Sequence, residues 1–157
     1  AQQEMNLQLP SSASACEAML HEKYGVDGSR LRVFGQNQWS APCASGTHVA
    51  DAMVVCPATM GAVAAIAHGT SDHLLERAAD VSIKEGRPLI IVPREAPLSA
   101  IHLENLLKLA RLGVCVLPPS PGFYQHPKTV DDIVDFVVAR ILDQLRIPHD
   151  LLPRWGE

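Results

Sequence analysis

Aromatic side chains make up only 4% of this sequence, and no apolar run approaches the roughly 18 residues a helix needs to cross a bilayer. The first lack means that Trp39 and Tyr124 must each be read singly. The second excludes a helical membrane span. A basic excess is missing too: the formal net charge is −4 over 157 residues, which argues against nucleic acid as the main partner, since phosphate-binding domains present a basic face. Cys16, Cys43, Cys56 and Cys115 are scattered, with no C-x-x-C pair and no clustered histidine. Reduced, packed thiols of a cytoplasmic protein are the reading that follows. The seven histidines lack H-E-x-x-H or similar spacing, so no metal site is expected. No signal peptide is visible, although a chain that opens on Ala1 rather than Met makes that absence uninformative.

What is present is a hydrophobic fraction of 47% in a chain the size of one domain, read here as a single domain over 1–157. "SSASACEAMLHEKYG" has serines to cap a helix and Gly25 to stop it, and "LRVF", Leu31 to Phe34, is a short strand candidate. Residues 35–51 are rich in Gly, Ser, Pro and Ala and form a long irregular segment around Trp39, of the kind that is functional or an interface arm. From Ala52 the rhythm is regular. "AMVVC" reads as a buried-type strand, "TMGAVAAIAHG" as a small-residue helix from Thr59, and "SDHLLERAADVSIKEG" as a helix capped at Ser71 or Asp72. "PLIIV" is the next strand, "SAIHLENLLKLARLG" a helix, "VCVLP" a strand, and "TVDDIVDFVVARILDQL" an amphipathic helix with Thr129 and Asp132 as a capping box. Apolar strands alternating with helices of about 10 to 15 residues give an α/β fold: a three-layer, Rossmann-like parallel sheet with helices on both faces.

Ligands of such sheets bind outside the carboxyl ends of the strands, where "CPATMGA", "PREAP" and "PPSPGFYQHP" all fall. Thr59 to Ala62 open a helix whose amides and dipole favour an anion, or simply pack small residues on the sheet. Arg94 and Glu95, fenced by Pro93 and Pro97, form either a local ion pair or a phosphate-binding cation beside a proton-handling carboxylate. Lys84 reads as a helix-end lysine complementing the dipole, and Arg140 as a side chain snorkelling beside an apolar stripe. Trp39 is an interface anchor or a ring laid over a planar ligand.

Together, "GQNQWSAPCASG", "RAADVSIKEGRPLIIVPREAPLSAIHLENLLKLA" and "PPSPGFYQHPKTVDDIVDFVVARILDQL" resemble the UbiX-type flavin prenyltransferases along essentially the whole chain. That resemblance implies a flavodoxin-like flavoprotein fold. It also implies a metal-independent reaction between reduced FMN and dimethylallyl monophosphate, joining the prenyl group to N5 and C6 of the flavin and releasing phosphate. Prenylated FMN then serves a partner decarboxylase of the UbiD type, commonly in ubiquinone synthesis. By resemblance, Arg94 contacts flavin and phosphate with Glu95 beside it, and Thr59, Met60, Gly61 and Ala62 form the flavin-binding turn. Ala62 stands where the family has a second hydroxyl. Lys84, Tyr124 and Arg140 hold the dimethylallyl phosphate, Trp39 reaches a neighbouring subunit's site near the prenyl group, and Glu4 matches a further acidic residue. The family's sites form where subunits meet, so a homo-oligomer, commonly a dodecamer, is implied.

The family's opening strand, Gly-Ala-Ser-Gly turn, helix and second strand are not found here. The expectation is therefore the C-terminal portion of a longer prenyltransferase, catalytic when that part is supplied. A competing reading is a non-catalytic flavin-binding or carrier subunit of the same fold. The cysteine decarboxylase branch is disfavoured, since neither its early histidine nor its Pro-x-Met-Asn segment is found, and a protein-binding module rests only on the Trp39 loop.

Overall fold

A computed structural model describes residues 8–152, so Glu4 lies outside the described residues. The chain divides into two compact units, Ala1–Ala41 and Pro42–Glu157.

In the first unit, helix α1 (Ala13–Tyr24) starts where the Ser12 hydroxyl accepts from the amide of Ala15. It ends at Gly25, whose φ of +61° turns the chain left-handed and directs its N–H to the carbonyl of His21, a conformation that costs a residue without Cβ little. Leu31 to Phe34, expected as a strand, is not one. Helix side chains take the place of a ladder: the amide of Val33 donates to the Glu17 carboxylate at 2.6 Å, and His21 Nε2 donates to the carbonyl of Leu31 at 2.8 Å. With its backbone groups satisfied this way, the extended segment needs no strand partner. Trp39 is 49% exposed on this unit.

The second unit opens with two short 3₁₀ turns, Pro42–Ala44 and Gly46–His48, and then runs β1 (Met53–Ala58), α2 (Met60–His68), α3 (Leu74–Lys84), β2 (Leu89–Pro93), α4 (Ala100–Arg111), β3 (Cys115–Val116), a 3₁₀ turn at Phe123–Gln125 and α5 (Val130–Leu145). The three strands lie parallel in the order β1-β2-β3. Side-chain caps at Thr59, Ser99 and Thr129 set the starts of α2, α4 and α5. The start of α3 differs from expectation. Its cap is His73 rather than Ser71 or Asp72, because the Glu76 carboxylate reaches back to the amides of Asp72 and His73 at 2.7 and 3.2 Å.

β2 is the centre of the unit, with all five residues buried. Leu89 and Ile91 enter a cluster with Val55, Val63, Ile66 and Leu109, while Ile90 and Val92, pointing the other way, are equally inaccessible. Burying each such side chain stabilises the fold by about 1.5–3 kcal/mol. α2 and α4 pack on one another as well as on the sheet. β1, an edge strand among those described, is only partly covered, with Cys56 and Pro57 exposed. Its register with β2 shifts between Val55 and Ala58, where Pro57 has no N–H to give the ladder. The stripe of α5 is also less covered than its period suggests: Val130 is 74% exposed, and Ala139 alone on that helix is fully buried. No helix among the described residues is long and apolar enough to cross a membrane.

Candidate functional site

The carboxyl edge of the sheet gathers three loops. β1 delivers the chain to Thr59, whose hydroxyl accepts from the amide of Ala62 at 3.2 Å while its carbonyl accepts from Val63. The amides of Met60 and Gly61 are then the first-turn donors that α2 itself does not use. Met60 is buried below the turn, whereas Gly61 is exposed, and a Cβ built on it would meet only the Thr59 hydroxyl, at 3.9 Å. A flat group can therefore approach this backbone closely.

β2 ends at Pro93, and the next amide, that of Arg94, donates to the carbonyl of Ala58 at 3.2 Å. This bond sets the exposed Arg94 directly beside the start of α2. Glu95 is exposed as well, and its carboxylate accepts from the amide of Ala96 at 3.1 Å, which fixes it to its own turn. Cys56 lies just before this corner; the residue is exposed, but partial desolvation of its sulfur pushes the thiol pKa up.

Beyond β3 the chain continues at the same edge, the amide of Leu117 donating to the carbonyl of Ile91 at 2.8 Å. A cavity of about 400 Å³ opens there, lined by Leu117, Pro118, Ser120, Phe136, Val137 and Arg140 among others. Tyr124, 55% exposed, stands edge-on to Phe136 with ring centroids 6.1 Å apart. Phe136 also walls a second cavity of about 260 Å³ that includes Gly122 and Leu152. Arg140 and Tyr124 are thus organised around one ring. A side chain at Gly122 would run into both Tyr124 and Phe136, a constraint the sequence alone did not reveal.

Lys84 lies elsewhere. The turn after α3 is tight, with the amides of Glu85, Gly86 and Arg87 returning to Val81, Ile83 and Ser82, and Ser82 touches Met53 at the start of β1. Lys84 therefore sits at the amino edge, separated from Arg94 by the length of β2, about 16 Å at 3.3 Å per residue. Its ammonium pairs with Glu85 at 2.9 Å, and a Cβ on Gly46 would come within 3.2 Å of it. Arg77, two turns earlier on α3, donates through Nε to the carbonyl of Ala44 at 3.1 Å and through Nη1 to Asp80 at 2.9 Å. The Pro42–His48 segment and α3 so build a surface carrying two cations. Arg77 escaped the sequence reading, although its i, i+7 spacing from Lys84 places both on one side of the helix. Among the described residues, no group of three His, Cys, Asp or Glu is placed to hold a metal ion.

The sequence profile of the family described as Flavoprotein matches residues 1–142. The flavin prenyltransferase UbiX of Pseudomonas aeruginosa is 56% identical over 154 residues, 98% of this chain and 74% of that protein. The UbiX of Halalkalibacterium halodurans is 56% identical over 139 residues, covering 88% and 68%. Among solved structures, a dodecameric FMN-dependent UbiX-like decarboxylase from Escherichia coli O157:H7 superposes with a TM-score of 0.82 at 44% identity, over 99% of this chain and 79% of the other. AnUbiX (PadA1), in complex with FMN and dimethylallyl pyrophosphate, gives 0.79 at 39% identity, over 91% and 79%.

Proposed function

Because the chain belongs to the flavoproteins and, within them, to the UbiX flavin prenyltransferases, we propose that it joins the dimethylallyl group of dimethylallyl monophosphate to N5 and C6 of reduced FMN. The observation that carries this reading is the corner where Arg94 is bonded to Ala58 beside the open first turn of α2. Flavin phosphate and ring fit that corner. The amides of Met60 and Gly61 and the Arg94 guanidinium supply donors, and the bare Cα of Gly61 leaves room for a planar group.

When bound, reduced flavin supplies the nucleophilic ring positions. The chain's own task is to handle the leaving group. Departure of phosphate from an allylic carbon leaves cationic character on the prenyl carbon and negative charge on the oxygens. Arg140 and Lys84 neutralise the oxygens, Tyr124 donates a hydroxyl hydrogen bond to them, and the electron-rich ring of Trp39 faces the prenyl cation. Glu95, fixed on its turn, holds or moves a proton at the same edge.

Lys84 and Arg94 stand at opposite edges of one sheet, so a pocket containing both draws them from different subunits. The proposal is accordingly a homo-oligomer, on the pattern of the dodecameric relative, whose sites are completed between copies by Lys84 and Trp39. Prenylated FMN passes to a UbiD-type decarboxylase, and the setting is the cytoplasm. The decisive experiment is anaerobic incubation of the protein with reduced FMN and dimethylallyl monophosphate, followed by mass spectrometry of the flavin. Prenylated FMN is the expected product. Flavin that binds but stays unmodified would point instead to a carrier subunit.

A further inference from the structure

On the reading that Arg140 binds the leaving phosphate, we propose that Asp143 is a positioning residue that aims the Arg140 guanidinium, and that His149 fixes Asp143 in turn. Arg140 Nη1 donates to Asp143 Oδ2 at 2.6 Å, one helical turn along α5. The other carboxylate oxygen, Oδ1, accepts from His149 Nε2 at 3.0 Å. A carboxylate only accepts, so Nε2 carries the hydrogen of this bond.

The chain beyond α5 is shaped to make the contact. Arg146 takes a left-handed φ of +57°, the amides of Arg146 and Ile147 return to the carbonyls of Asp143 and Leu142, and the next residue, Pro148, cannot extend the helix. His149 thereby folds back over the helix end. Its side chain is only 14% exposed, against 44% for Asp143 and 50% for Arg140. The triplet runs from a sheltered imidazole through a carboxylate to a cation lining the 400 Å³ cavity.

A guanidinium presents its donors in a rigid planar fork, so one nitrogen tied to Asp143 restricts the direction of the rest. An untethered arginine would have to be immobilised by its ligand, which weakens binding. The charge of Asp143 works the other way. A carboxylate so near an anion site repels the anion, and removing it without any loss of orientation tightens binding. Positioning and plain repulsion therefore predict opposite signs.

The test is calorimetric titration of the full chain with dimethylallyl monophosphate for wild type, Asp143→Ala, Asp143→Glu, Arg140→Ala and the Arg140→Ala/Asp143→Ala double variant. Asp143→Ala is expected to weaken binding about two- to five-fold, the range of an exposed pair. Asp143→Glu should recover part of the loss. In the Arg140→Ala background only the repulsion remains, so removing Asp143 should cause no further loss and should tighten binding slightly. If Asp143→Ala loses helix content, His149→Ala replaces it, with a loss in the same direction that also vanishes without Arg140. Tighter binding by Asp143→Ala, or an undiminished loss in the Arg140→Ala background, overturns the proposal. Unchanged affinity in Arg140→Ala instead overturns the assignment of Arg140 to the phosphate, and the proposal with it.

Discussion

The backbone amide of Arg94 donates to the carbonyl of Ala58 at 3.2 Å, so the loop after β2 is tied to the residue that immediately precedes the cap of α2. Because this link is made by the backbone, truncating the side chain leaves it intact. Arg94→Ala should keep its fold and lose the guanidinium contact to FMN. A charge-assisted bond of this kind corresponds to a weakening of roughly 10- to 100-fold, readable by flavin fluorescence titration beside a thermal melt. An unaltered flavin affinity would remove Arg94 from the site.

Gly122 is constrained from two sides. A Cβ there would meet the ring of Phe136 at 3.0 Å and crowd that of Tyr124, and the loop is held by the edge-on contact of the two rings. Gly122→Ala should therefore destabilise the protein by about 1–3 kcal/mol, as overpacking does, and should also raise the KM for dimethylallyl monophosphate by displacing Tyr124. Denaturant titration and steady-state kinetics read the two effects separately. A variant with both values at wild-type level would show that the Phe136 contact does not place Tyr124.

Apart from the start of α3, the sequence showed the helix boundaries, and for a local reason. Capping at Ser12, Thr59, Ser99 and Thr129, and left-handed glycines at Gly25, Gly69, Gly86 and Gly113, depend on a few adjacent residues. β2 was legible as well, since a strand covered on both faces is apolar throughout. Leu31–Phe34 misled, because a pattern can mark a chain as extended without telling whether a strand or the side chains of α1 will satisfy it. The stripe on α5 is a different case: its period shows which residues share a side, not whether the same chain covers them. At the site, Arg94 announced itself by charge at a strand end. Arg77, Gly122 and Asp143 did not, because their significance lies in neighbours that are distant in sequence or added by the fold.

Asp132 secures the start of α5 through charge. Its carboxylate accepts from the amides of Lys128 at 2.7 Å and Thr129 at 2.9 Å, and these bonds, Lys128 first, hold its pKa below the ordinary aspartate range. A depressed folded-state pKa contributes stability that is complete above the unfolded value and is lost as pH falls through the folded one. The first turn of α5 should hence be well protected at pH 5 and loosen only below about pH 4. Hydrogen exchange at the Lys128 and Thr129 amides reads this directly. Asp132→Asn should show the acid-like exchange already at neutral pH, and identical exchange in both proteins would refute the role given to the charge.

The separation of Lys84 from Arg94 along β2 permits a test that no single substitution offers. Lys84→Ala and Arg94→Ala should each be nearly inactive as pure oligomers, since every site lacks one group. When the two variants are unfolded together and reassembled, a site built from different subunits receives Lys84 from one parent and Arg94 from the other. Random mixing then restores about a quarter of the sites, and prenylated FMN should form at a corresponding fraction of the wild-type rate. Were both residues supplied by one chain, every site in the mixture would still carry a lesion and activity would not return. Recovery thus distinguishes a pocket completed between copies from one contained in a single subunit.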